Sequence, residues 1–333
     1  MKLSVIILCW NDLKVIADCL RSIYANTHSI AFEVIVSDNG STDGSIEFIR
    51  NNFPQVNVIE NGRNLRFAKA NNVGIRASRG EYLLILNPDT IIHEGTLDKM
   101  VSFADQHVEA GAFGCRVLNV DGTYQESSWP YRTIRGDLIT ALYLRPLAHL
   151  SRWFTSDTYV GWKGESVKSV DWVSGCCILA RRELVEKIGG FDEQFFYYFE
   201  DMDLCQRIRK SGQEVLYFPG ATITHLGGQS TKKRFPAIGF VLDGEVTRYL
   251  YYYKYYGEGG IRRARRVSLV AVSLRRFGYR LLQVLKPTEA RKARLDMLRI
   301  LSDWQLRVDP LRLVQKGEEP DLGINLAGRV LER

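Results

Sequence analysis

Much that would anchor a secreted, metal-clustered or membrane-spanning protein is missing from this chain of 333 residues. Its six cysteines, Cys9, Cys19, Cys115, Cys176, Cys177 and Cys205, stand singly or side by side in apolar runs, with no CxxC pair and no histidine at metal-binding spacing. A disulfide framework and a zinc finger are thereby excluded, and the thiols read as reduced core residues of a cytosolic protein. The opening MKLSVIILCW has a lysine and an apolar run, yet the run stops at Asn11-Asp12 without a small-residue cleavage site. It reads as a strand and not as a signal peptide. Net positive charge is absent outside one segment. Residues 258–300 hold twelve Lys and Arg against three acids, a local +9 in a chain of net +7, so the other 290 residues sum to −2. No nucleic-acid recognition motif accompanies the basic stretch, which argues against nucleic acid as its partner.

What the chain does have is 45% hydrophobic content, ample for one large α/β domain or two smaller ones. Leu3 to Cys9 is a continuous β-rich apolar run of the kind buried on both faces of a parallel sheet. Leu13, Ile16, Ala17, Leu20, Ile23 and Tyr24 then keep helical spacing. Further strands are predicted at 32–37, 56–60 and 81–86, with helices after the DNGSTDGS turn, at 65–78 and near 94–107. Strands and helices alternating in this way predict a doubly wound α/β layer. Ligands of such sheets bind beyond the carboxyl ends of the strands, and here those ends carry Asn11, Asp38 and Asp89. Either acid alone could merely start an Asx turn or cap a helix; matched strand ends favour a shared rim.

Beyond residue 111 the pattern predicts a strand to 117, a hairpin turn around Asp121-Gly122, another strand at 170–180 and a helix at 181–188. Residues 126–167, with Trp129, Trp153 and Trp162, have no clean period and read either as a loop region closing over ligand or as a packed insertion. At 191–203 stands FDEQFFYYFEDMD, five consecutive aromatics closed by Glu200, Asp201 and Asp203. Leu204, Cys205 and Ile208 put Asp201 and Asp203 in the first turn of a helix, where the macrodipole and capping favour acids without any function. Next to an aromatic wall, however, a carboxylate has its pKa raised and suits the work of a general base. After a strand at 214–218, His225 precedes Gly227-Gly228, which lets backbone approach a ligand, and Lys232, Lys233 and Arg234 add charge that fits a diphosphate.

Together, VIILCWN (5–11), VSDNGSTDGS (36–45), NLRFAKANNVGI (64–75), LLILNPDT (83–90), the run from Trp172 to Gly212 and HLGGQST (225–231) resemble the family 2 inverting glycosyltransferases, in particular their rhamnosyltransferase-like members. The resemblance covers residues 1–235 and implies a GT-A-type doubly wound mixed sheet, the nucleotide-diphospho-sugar transferase fold. Residues 1–110 would be its nucleotide-binding half and 111–235 its acceptor half, with 236–333 a helical basic extension. It further implies donor binding by Cys9, Asn11, Asp38 at the base, Asn64, Asn72, Asn87 and Lys232. A divalent metal, Mg²⁺ or Mn²⁺, would sit on the donor diphosphate, held by Asp89 and His225. Asp201 would be the catalytic base, with Trp172, Tyr198 and Glu200 near the acceptor. The chain departs from the family's paired-acid metal element, since Asn87 occupies its first acidic position.

Chemistry agrees with that assignment. In one-step inversion an acceptor hydroxyl attacks the anomeric carbon opposite the leaving nucleotide diphosphate, which takes one base and one source of positive charge. Double displacement would call for a second carboxylate as nucleophile, and the helical neighbours of Asp201 point elsewhere. The implied donor is dTDP-L-rhamnose, with UDP-galactofuranose, UDP-hexose or GDP-mannose as alternatives. A nucleotidyltransferase would want a Gly-rich basic loop at residues 9–20, and a processive synthase a QxxRW element; neither is present. A catalytically dead sugar-nucleotide scaffold is the rival from outside enzymes.

In the tail, Arg262, Arg265, Arg266, Arg276 and Arg280 fall on one helical arc and Val267, Val270, Leu274, Phe277, Leu281 and Leu285 on the opposite one. Arginines inside the run exclude a spanning helix. Residues 258–285 are therefore expected to lie on an anionic membrane surface, placing the protein peripherally on the inner face of the cell membrane, where a polyprenyl-diphosphate-linked saccharide could be the acceptor. The competing expectation is a helix packed on the domain or in a homo-oligomer interface, its basic face solvated.

Overall fold

The computed structural model describes residues 1–155, 158–195, 198–227 and 237–316. The strands are β1 (Leu3–Cys9), β2 (Phe32–Asp38), β3 (Asn57–Glu60), β4 (Tyr82–Leu86), β5 (Thr90–Ile92), β6 (Ala110–Leu118), β7 (Tyr124–Gln125), β8 (Ser128–Trp129), β9 (Lys168–Ser169), β10 (Trp172–Val173), β11 (Cys177–Arg181) and β12 (Glu214–His225). The helices are α1 (Leu13–Asn26), α2 (Ser45–Asn52), α3 (Arg66–Ala77), α4 (Thr96–Gln106), α5 (Ile134–Ala141), α6 (Arg182–Lys187), α7 (Glu200–Lys210), α8 (Ala237–Leu285), α9 (Glu289–Arg307) and α10 (Pro310–Lys316).

Two compact units result. The first comprises Met1–Tyr131, Gly161–Phe196 and Glu200–Lys233. Its main sheet runs β3-β2-β1-β4-β11-β6-β12-β5. The first four strands are mutually parallel, as the alternation of strands and helices predicts, and β11 then runs antiparallel to both β4 and β6. Val5, Ile6, Ile7, Val34, Ile35, Val36, Leu84, Ile85 and Leu86 are almost wholly buried, so both faces of these strands are covered and they read as unbroken apolar runs and not as alternating ones. Each such side chain contributes about 1.5–3 kcal/mol of burial. All six cysteines lie buried and free in this unit.

Two strand boundaries differ from those the sequence predicts. The single strand expected at 170–180 is two pieces, β10 and β11, because Ser174-Gly175 leaves the ladder to meet α7. Conversely, β12 does not end at Phe218: Pro219-Gly220 makes an irregularity in its register with β6, and the strand resumes at Thr222 and continues to His225. That continuation pairs with β5 and brings His225 opposite Thr90.

The second unit comprises Arg132–Val160, Tyr197–Phe199 and Arg234–Arg333. Part of the stretch 126–167, read either as a loop closing over ligand or as a packed insertion, is therefore a piece of the C-terminal unit. Its aromatic run is core: Tyr249, Tyr251, Tyr252 and Trp304 are fully buried, and Phe199 packs 5.3 Å from Tyr251. Helix α8 breaks at Gly257, whose φ of 63° lies outside the helical range, and α9 packs against it on both sides of the break. The face turned to α9 carries Arg265, which donates to the carbonyls of Gln305 and Leu306, and Arg276, which donates to Ser302 Oγ. Val270, Leu274, Phe277, Leu281 and Leu285 are exposed instead. The basic arc is thus divided: Arg265 is drawn in by the last carbonyls of α9, which need donors, and Arg276 by the Ser302 hydroxyl, while Arg262, Arg266 and Arg280 stay exposed.

Candidate active site

The first unit gathers most of the predicted polar residues at the carboxyl edge of its sheet. Asp38, at the end of β2, is buried; its Oδ2 accepts from the backbone N–H groups of Gly40 and Ser41 at 2.9 and 3.0 Å and its Oδ1 from the Ser41 hydroxyl. Asn11 accepts from Thr42 N–H at 2.7 Å, tying the loop after β1 to the same turn. Asn64 Oδ1 accepts from Asn39 Nδ2 and from Arg66 N–H, and Asn61 donates to Asn39 in turn. Asn11 and Arg66 hold left-handed backbone, with φ of 56° and 68°, a conformation that concentrates at ligand-contacting turns.

Two residues expected at the donor do other work. Cys9 is fully buried, and desolvation pushes its thiol up to about 12, so its side chain belongs to the core. Asn72 donates both amide hydrogens, to Phe191 O and Glu193 Oε1, and accepts from Phe191 N–H, clamping the Gly189-Gly190 turn. No hydrogen remains on it for a nucleotide. Lys232 lies outside the described residues, as do Lys233, Arg234 and Gly228.

Asp89 and His225 do meet. Asp89 Oδ1 lies 3.2 Å from His225 Nε2, Asn87 Nδ2 lies 3.3 Å from the same nitrogen, and Gln125 Oε1 lies 3.1 Å from Nδ1. With Gln125 accepting from Nδ1–H, Nε2 carries a lone pair that takes a long hydrogen bond from Asn87 Nδ2 and lies beside the Asp89 carboxylate. Two lone-pair donors facing each other fit a shared cation, and a carbonyl on the far ring nitrogen is the usual support of a metal-binding imidazole. No group of three or more His, Cys, Asp or Glu suited to a metal occurs among the described residues. The set is therefore incomplete by itself and suited to an ion that takes its remaining ligands from phosphate oxygens and water. Asp89 does not cap α4, which starts at Thr96.

Asp201 sits in the first turn of α7. Its Oδ2 accepts from Gly175 N–H at 2.9 Å and its Oδ1 from Met202 N–H at 2.8 Å. Desolvation nevertheless raises its pKa above the ordinary carboxylate value. Glu200 beside it is buried, with no hydrogen-bond partner for Oε2 among the described residues, and desolvation followed by the Asp201 charge pushes it well up. Asp203 is the structural acid of the three, fully buried and paired with Arg207 Nε at 2.7 Å. Because the fold favours protonated Glu200, its contribution to stability is present at low pH and lost as pH climbs through its raised folded value. Glu200→Gln is expected to melt about 2–4 °C above the wild type at pH 8 and close to it at pH 5. A difference that stays flat across that range would remove this account of the buried acid.

The predicted acceptor residues are more scattered. The Trp172 ring lies 4.5 Å from that of Trp129, tilted by 30°, across the β8–β10 pair, and its Nε1–H donates to Pro130 O. Tyr198 is half exposed, with φ of 61°, and belongs to the second unit.

A family model described as glycosyl transferase family 2 matches residues 4–189. The chain belongs to that family. A second model, described as the N-terminal domain of galactosyltransferase, matches residues 156–227. Among relatives of this glycosyltransferase, an N-acetylglucosaminyl-diphospho-decaprenol L-rhamnosyltransferase of Mycobacterium tuberculosis is 33% identical over 212 residues, covering 60% of this chain and 67% of that protein. A rhamnosyltransferase of Escherichia coli is 25% identical over 179 residues, 51% of this chain and 64% of the other. Solved structures share the fold: Staphylococcus aureus TarS with UDP-GlcNAc (TM-score 0.52, 17% identity, 91% of both chains) and a Pyrobaculum calidifontis mannosyltransferase with GDP-Man and Mn²⁺ (TM-score 0.51, 17% identity, 96% and 88%). The enzyme thus belongs to the rhamnosyltransferase-like branch of family 2, with a GT-A-type mixed sheet and a helical C-terminal region.

Gln125, Asn39 and the Gly175 N–H escape the sequence reading. Gln125 and Gly175 reach their partners across 100 and 26 residues. For Asn39 a local signal existed, since it directly follows Asp38 in the turn.

Proposed function

We propose that this glycosyltransferase moves L-rhamnose from dTDP-L-rhamnose, with inversion, onto a polyprenyl-diphosphate-linked saccharide during cell-envelope polysaccharide assembly, working at the cytoplasmic face of the membrane. The observation that carries the reading is the 33% identity, over 212 residues, to an enzyme named as an N-acetylglucosaminyl-diphospho-decaprenol L-rhamnosyltransferase. Asp38, Asn11 and Asn64 hold the nucleotide, with Asn39 bracing Asn64 from the turn. Asp89 and His225, supported by Gln125, would bind a divalent ion, Mg²⁺ or Mn²⁺. Such an ion, when bound, neutralises charge on the leaving diphosphate. Asp201 takes the proton from the acceptor hydroxyl as its oxygen bonds to the anomeric carbon and the bond from that carbon to the diphosphate oxygen breaks. Burial suits Asp201 to this step, since it raises the affinity of the carboxylate for the proton it must accept.

A donor panel tests the assignment. With Mn²⁺ present, dTDP-L-rhamnose at a hundredfold excess over Kd is expected to raise Tm by about 5–10 °C, and EDTA to remove most of that rise. A rise with UDP-galactofuranose, a UDP-hexose or GDP-mannose and none with dTDP-L-rhamnose would overturn the donor. Donor-dependent stabilisation without turnover on any lipid-linked acceptor would favour a non-catalytic scaffold.

A further inference from the structure

The second unit leaves a long apolar stripe uncovered. Val270, Leu274, Phe277, Leu281 and Leu285 recur every three or four residues along α8, and their exposures are 46, 46, 71, 53 and 72%. Leu282 and Val284 widen the stripe. Its back is not available, because α9 lies there with Arg265 and Arg276 bonded to it. Apolar rows of this length are rarely left to water and mark a surface that meets something. Exposed Arg262, Arg266 and Arg280 run along one border. On the other, the Arg275 guanidinium sits 5.9 Å from the ring of Tyr143. That contact brings a second apolar element to the stripe, the segment after α5, where Leu142, Tyr143, Leu150 and Trp153 are themselves exposed.

Three features choose the occupant. Aliphatic residues bordered by arginine, with tyrosine and tryptophan at the edge, match the layered chemistry of a bilayer surface: acyl chains, then phosphate. A second copy of the chain is a poor match, since two-fold pairing of the stripe would bring together two segments that each carry twelve cations and three acids. Finally, no described helix is long and apolar enough to cross a membrane, so the element would lie on the surface.

We propose that α8 between Arg262 and Leu285, together with the Leu142–Trp153 segment, forms one face that seats in the headgroup layer of an anionic bilayer. Phe277, Leu281 and Leu285 enter the acyl boundary, the flanking arginines pair with lipid phosphates, and Tyr143 and Trp153 sit at the rim. This deepens the reading above, in which the acceptor is held on a lipid, but the face is defined without reference to donor or acceptor.

The test uses the full chain and vesicles, with no sugar nucleotide or acceptor present. Partition onto phosphatidylcholine vesicles containing about one quarter phosphatidylglycerol is expected to exceed that onto phosphatidylcholine alone at least about tenfold, and to fall with salt. Phe277→Asp with Leu281→Asp should lower partition at least about tenfold, and Trp153→Ser about threefold, while Tm and the donor-induced shift stay at wild-type values. These side chains are exposed, so the fold is retained. Equal binding of the double variant and the wild type would overturn the proposal. So would a dimer in light scattering that Phe277→Asp dissolves, which would assign the stripe to a second copy. If dTDP-L-rhamnose proves not to be the donor, the vesicle result is unaffected, so the two failures are told apart.

Discussion

Asp201→Asn is expected to lower turnover by at least about 10² while leaving donor affinity within a few-fold. Asparagine nearly reproduces the carboxylate's outline and keeps one oxygen for the Gly175 N–H, giving up only the acceptor that faced Met202 N–H. What it cannot do is take a proton. The wild type supplies an internal control, because burial raises the Asp201 pKa and the acid limb of its pH–rate profile should lie above the ordinary carboxylate range. Kinetics across pH, with donor binding read from Tm shifts, separate the outcomes. Turnover within tenfold of wild type would dismiss Asp201 as the base, and a lost donor shift would mean that the substitution damaged the site and not the proton transfer.

The largest stability effect is expected far along the chain, at Arg248→Met. Arg248 is buried in the second unit, with Nη1 2.8 Å from Asp137 Oδ2 and Nη2 2.7 Å from Glu245 Oε2, and it also bonds the Ser268 hydroxyl. Arg132 and the Tyr252 hydroxyl complete the shell around Asp137. Burial alone would raise the Asp137 pKa, but the charges of Arg132 and Arg248 outweigh it and hold that carboxyl below its usual range. Removing one cation strands a buried carboxylate, which costs about 3–5 kcal/mol. Urea unfolding followed by far-UV circular dichroism should therefore show an earlier transition for this unit. Adding Asp137→Asn should restore part of the loss, because the two changes share one network. A midpoint unchanged in Arg248→Met would show the cluster to be dispensable.

The strand-end acids and the histidine were legible from sequence because each is marked by its neighbours: Asp38 by the glycine-rich turn behind it, Asp89 by Asn-Pro, His225 by its glycines. Their supports were not. Gln125 reaches His225 through a hairpin, and the polar partner of Asp201 is a main-chain group that no residue type encodes. Asn72 and Cys9 sit within motif-like stretches, yet one clamps a turn and the other fills the core, which local sequence cannot separate from ligand contact. For α8, periodicity gives the apolar stripe but not the direction it faces. That was decided by Arg265, whose guanidinium satisfies the carbonyls at the end of α9, where the helix dipole also favours a cation.

The break at Ser174-Gly175 bears on how this site can diverge. Since a peptide N–H holds Asp201, mutation of side chains in that loop leaves the contact standing; only proline at 175 or a change of loop length deletes it. A methyl group at 175 would come within 3.1 Å of the Phe67 ring, so the position is also limited in size. Under the function proposed above, side chains around the base could then change without disturbing its aim, because that aim is set by the path of the backbone.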